Sequence, residues 1–70
     1  MTTNSWQAYH PRSIRNDDHW FALCTIEQPN GTISTEMQFG TSELTAVTSL
    51  NILVRFKYDC TVNQHRIPQG

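Results

Sequence analysis

Lysine occurs once, at Lys57, and all charged side chains together make up 16% of the 70 residues. That is well below the quarter usual for soluble domains. Lys and Arg number 5 against 6 for Asp and Glu, a net charge of −1. A domain built to neutralise phosphates carries a clear basic excess, and this chain has none. Glycine is equally thin. Gly31, Gly40 and Gly70 are far apart, so no glycine-rich phosphate loop exists. No run approaches the roughly 18 apolar residues of a membrane helix, and no membrane partner is expected. The opening Met1-Thr2-Thr3-Asn4-Ser5-Trp6 has neither a basic nor an apolar leader region. The expectation is a cytoplasmic chain whose two cysteines, Cys24 and Cys60, stay reduced.

Length removes further classes. Seventy residues and 8.1 kDa hold one small domain, too short for a barrel enzyme or a dinucleotide-binding fold. Such a domain buries only about 60% of the surface its unfolded chain exposes, so its core is modest. Ser, Thr, Asn and Gln fill 24 positions, while hydrophobic residues account for 37%. With Trp6, Trp20, Phe21, Phe39 and Phe56 among them, a folded domain is expected rather than disorder.

The clearest local signal is Gln28-Pro29-Asn30-Gly31-Thr32 between two apolar arms. Asn-Gly suits a type I′ turn, and so predicts a β-hairpin over 19–39. Its second arm alternates, with Ile33, Thr35, Met37 and Phe39 on one side. Its first arm is apolar on both sides, as a central strand would be. Thr41-Ser42-Glu43 then reads as a helix start, and Leu44, Val47 and Leu50 extend it over 42–51, with Asn51 as the stop. Beyond it Ile52, Val54, Phe56, Tyr58, Cys60 and Val62 occupy every even position. That alternation predicts a strand over 52–62. Residues 1–18 read as an irregular N-terminal segment and 63–70 as a C-terminal tail.

These elements define a single α+β domain of ββαβ order. Its sheet has three antiparallel strands in spatial order 2-1-3, with one helix packed on one face. The other face would carry Phe21, Leu23 and Leu53. It would be covered either by the N-terminal segment, with Trp6, Tyr9 and Ile14, or by a second chain.

The chemistry-bearing residues are few. His19 and Cys24, and Cys60 and His65, resemble a mirrored zinc set. A five-residue offset along a strand, however, sends the two side chains to opposite faces about 17 Å apart. Cys60, His65 and Asp59 offer the residue types for a thiol nucleophile without the geometry. Asp17-Asp18 reads as a solvated turn. Arg12 and Arg15 near Tyr9, with Arg55 and Lys57 on the last strand, could track a single-stranded nucleic acid. The stronger expectation is a small, non-catalytic, cofactor-free binding protein that touches a protein partner. It would act as a regulatory or inhibitory factor or accessory subunit, and an inhibitor carried by a phage or other mobile element is one form of that expectation. It would also form a homodimer. The candidate surface comprises Trp6, Tyr9, Arg12, Arg15, Phe21, Leu23, Leu53, Arg55 and Lys57. A nucleic-acid binder is the alternative, and a zinc or thiol module around Cys60 and His65 a weaker one.

Overall fold

In the computed structural model, which describes residues 5–64, three long strands follow one another as a meander: β1 (Gln7–Asn16), β2 (His19–Glu27) and β3 (Ile33–Gly40). A helix, α1 (Glu43–Tyr58), crosses back over them to a two-residue strand, β4 (Val62–Asn63). The sheet order is β3-β2-β1-β4, with β1 antiparallel to β2, β2 antiparallel to β3, and β4 parallel to β1. The α+β reading therefore holds: one helix packs on a sheet whose three long strands are antiparallel, and hairpin, helix and strand come in the expected order.

The hairpin of β2 and β3 forms where the sequence placed it, but by a different turn. Gly31 N–H donates to Gln28 O (2.9 Å) and Gln28 N–H donates to Thr32 O (2.8 Å). Gly31 alone takes a positive φ, +93°. Pro29 presets the first corner, and the Asn30 side chain accepts from Thr32 N–H at 3.0 Å. This is a type I turn closed by a glycine bulge, not a type I′ turn, since only one residue needs the left-handed region.

The N-terminal segment is the first correction, because residues 7–16 form a strand. Its register against β2 slips between Tyr9 and Arg12, where His10 and Pro11 together oppose Cys24. His10 carries the bulge in a left-handed conformation, φ 56°. The bulge accommodates a proline that a regular ladder would reject. It also shifts the side-chain phase by one residue, so no alternation is visible along the segment. Asp17, at φ 54°, and Asp18 make the two-residue connection to β2.

The second correction concerns 52–62. The helix does not stop at Asn51 but runs to Tyr58, and only Val62–Asn63 is strand. Ser42 caps it by accepting from Thr45 N–H at 3.1 Å, Glu43 sits at the positive end of the dipole, and Arg55 and Lys57 sit at the negative end. Asp59, left-handed at φ 55°, closes it with its N–H on Arg55 O. Its buried stripe is Ala46, Leu50 and Val54, continued by half-buried Tyr58. Residues four apart share parity, so a helical stripe at 50, 54 and 58 falls wholly on even positions. Ile52 and Phe56 complete the apparent alternation from the exposed side, at 63% and 92% exposure. The third correction is the strand order. The place beside β2 is taken by β1, so the crossover lands one strand further out, as β4.

The core lies between the helix and one sheet face. Ala8, Ala22, Cys24 and Ile26 meet Ala46, Leu50 and Val54, with Trp6, Trp20, Val47, Tyr58, Cys60 and Val62 around them. Ile26, Leu50 and Val54 are fully covered, each contributing about 1.5–3 kcal/mol. Small side chains let the helix come close. At the end of β3, a Cβ on Gly40 would stand 2.8 Å from Ala46 N and from Thr45 Cγ2.

Candidate functional site

Side chains directly opposite one another on neighbouring strands share a face. The register therefore builds the sheet face away from the helix in rows: Ile14–Phe21–Phe39, Arg12–Leu23–Met37, Tyr9–Thr25–Thr35 and Gln7–Glu27–Ile33. Phe21 and Phe39 meet edge to face, centroids 6.2 Å apart. Tyr9 and Thr25 are buried, and Tyr9 OH donates to Glu27 Oε1 at 3.1 Å. Exposure rises away from them. Phe21 and Leu23, flanked on both sides, are half-buried. Ile14, Ile33, Met37 and Phe39 are 52%, 55%, 47% and 64% exposed. Several large apolar side chains adjacent on one open face form a patch of the kind that marks a contact surface.

Of the predicted surface residues, Phe21 and Leu23 lie on this face, as do Arg12 and Tyr9. Leu53 does not, because it is half-buried on the helix. Trp6 lies on the helix side, its ring tilted by 35° against that of Tyr58 with centroids 5.0 Å apart. The N-terminal segment is therefore not a lid. Being a strand of the sheet, it widens the open face instead of covering it. Met37, Phe39, Ile14 and Ile33 belong to the patch as well. No local signal placed Met37 and Phe39 there: a two-residue Asn30-Gly31 turn would set Leu23 against Gln38 and Phe21 against Gly40, whereas the glycine bulge shifts the register by one and sets Leu23 against Met37 and Phe21 against Phe39.

The cations do not gather. Arg12 donates to its neighbour His10 O at 2.8 Å, and Arg15 Nε donates to Asp17 O at 3.3 Å. Arg55 and Lys57 were expected side by side on a strand, but two residues apart on a helix they point in different directions. Lys57 Nζ pairs with Glu36 at 2.9 Å, and Tyr58 OH donates to the same carboxylate. Those two hydrogen bonds, Tyr58's first, hold the Glu36 carboxyl below its ordinary range. The cluster ties the end of the helix to β3.

Neither cysteine is an activated nucleophile. Both are free thiols, Cys24 buried and Cys60 half-buried. They were expected on neighbouring strands, but Cys60 follows the helix and precedes β4. Burial pushes the Cys24 thiol up to about 11, with Glu36 adding to it. Burial and then Asp59 raise Cys60. A reactive thiol needs the reverse. His65, the base of that candidate cluster, lies outside the described residues. Among the described residues no three His, Cys, Asp or Glu come together as metal ligands, and no helix is long and apolar enough to cross a membrane.

Comparison of the chain with protein-family models, with curated proteins and with solved structures finds no match.

Proposed function

We propose that this chain is a small, non-catalytic, cytoplasmic binding protein that presents the sheet face away from its helix to a protein partner, as a regulatory or inhibitory factor or accessory subunit. An inhibitor carried by a mobile element fits this description. The observation that carries the reading is the apolar patch of Ile14, Phe21, Leu23, Met37 and Phe39, left open while the opposite face is sealed by the helix. Polar positions at its margin, Arg12, Thr35 and Glu27, supply the rim that protein interfaces have. Scattered, locally engaged cations favour a protein over a nucleic acid. The same surface economy suggests that the protein works as a homodimer, two copies offering one enlarged face.

A photo-reactive residue at Leu23, compared with one at Phe56 on the helix, tests the reading in extract of the native host. Crosslinks to one protein species from Leu23, abolished by Met37→Glu, are expected. Crosslinks from Phe56 alone would move the site to the helix. Crosslinks to nucleic acid from Leu23 would replace the partner class.

A further inference from the structure

The two sides of the sheet's rim are unlike. On the β1 side, β4 covers Ala8 and Tyr9, and the remainder holds the His10–Pro11 bulge, Arg12 and Arg15. Bulge, proline and charge are the devices that stop a strand from recruiting another. On the β3 side neither bulge nor proline occurs between Ile33 and Gly40. Its one charged residue, Glu36, faces the helix, bound to Lys57 and Tyr58.

Backbone phase sharpens the contrast. Gln28 N–H donates to Thr32 O, so Gln28 and Thr32 form a hydrogen-bonded pair. Alternation along an antiparallel ladder then directs the N–H and C=O of the even residues of β3 to β2. The odd residues, Ile33, Thr35, Met37 and Phe39, direct theirs outward. The same odd residues carry the exposed apolar side chains. Exposure of this face is greatest along β3, which has a neighbour on one side only.

We infer that β3 pairs antiparallel with β3 of a second copy, about a twofold axis at Met37, giving a continuous eight-stranded sheet. This rests on the homodimer reading above and names its surface. A strand pairing with its own copy must match odd with odd residues for the outward groups to meet. Overlap is then longest with the axis at Glu36 or at Met37. The first sets Glu36 directly against Glu36 of the partner copy, a like-charge pair. The second sets Glu36 against Gln38 and Thr35 against Phe39, with no like charges opposed. One open rim and one guarded rim also mean that pairing closes after two copies and does not propagate as a filament. Both helices fall on the same side, and the two apolar faces merge into one.

Light scattering at about 100 μM, with cysteine crosslinking, tests the pairing. A mass of twice 8.1 kDa is expected for the wild-type chain. In a Cys60→Ser background, Met37→Cys should form a disulfide dimer on mild oxidation, since a hydrogen-bonded antiparallel pair sets its Cα atoms about 5.5 Å apart, within disulfide reach. Thr35→Cys should not. Thr35→Pro removes an outward N–H without touching the β2 ladder, and should halve the mass at unchanged circular dichroism. If Thr35→Pro is unfolded, the crosslinks decide. A dimer that survives in folded Thr35→Pro, or crosslinks through Thr35→Cys but not Met37→Cys, overturns this pairing and leaves a dimer built otherwise. A wild-type mass of 8.1 kDa overturns the dimer itself.

Discussion

The two faces of one sheet are furnished in opposite ways. Towards the helix, the central strand offers Ala22, Cys24 and Ile26 with Trp20 at the margin, and its neighbours add Ala8, Ser34 and Gly40. Away from the helix, the same strands offer Phe21, Leu23, Ile14, Met37 and Phe39. The bulkier apolar side chains thus stand on the less covered side. A helix approaches closely only over small residues, and the wide gaps are filled by its own Leu50 and Val54. The face without a helix has no such limit, and its large side chains gain their full burial only from another molecule.

Breaking the covered face should cost most. Leu50→Ala is expected to lose about 2–5 kcal/mol, because its cavity opens in the middle of the helix–sheet contact. Urea denaturation reads it as a lower midpoint at constant slope. A loss under about 1 kcal/mol would mean that the helix is held otherwise than by its buried stripe.

The next largest effect is chemical. With Cys24 raised from 9.0 to about 11 in the folded state, the unfolded chain gives up this proton first. Stability is unaffected by the group below pH 9 and falls as pH climbs towards 11, by roughly 2–3 kcal/mol. Cys24→Ala should remove that alkaline loss, as pH-dependent urea curves would show. An unchanged curve would place the thiol in water.

Gly40→Ala follows, at about 1–3 kcal/mol. The added methyl meets backbone at Ala46, where yielding requires the first turn of the helix to shift. Thermal unfolding at neutral pH measures it, and a neutral result would show a looser junction between β3 and α1.

The smallest effect belongs to the open face. Ile14→Ser, half-exposed on β1 and far from the β3 rim, should change the stability of the isolated protein by less than about 0.5 kcal/mol. A loss comparable to that of Leu50→Ala would mean that this face is closed, and the contrast between the two faces would fail.

Local pattern by itself determined the β2–β3 hairpin, the helix start at Ser42–Glu43 and the α+β class. Each of these follows from effects within a few residues: a proline and glycine at a turn, a hydroxyl cap, strict alternation along Ile33–Phe39. It also placed Phe21 and Leu23 on the uncovered face, because a two-sided strand has to show one side somewhere. Tertiary structure decided the rest. The His10–Pro11 bulge hides β1 from any periodic reading, since one inserted residue inverts the phase of all that follow. The second half of the helix was ambiguous because a stripe of period four is also even-numbered, and Ile52 and Phe56 are apolar without being buried. Which face a side chain finds is settled by what packs against it, and only the folded sheet puts the end of the helix beside Glu36 and leaves Met37 and Phe39 without a cover.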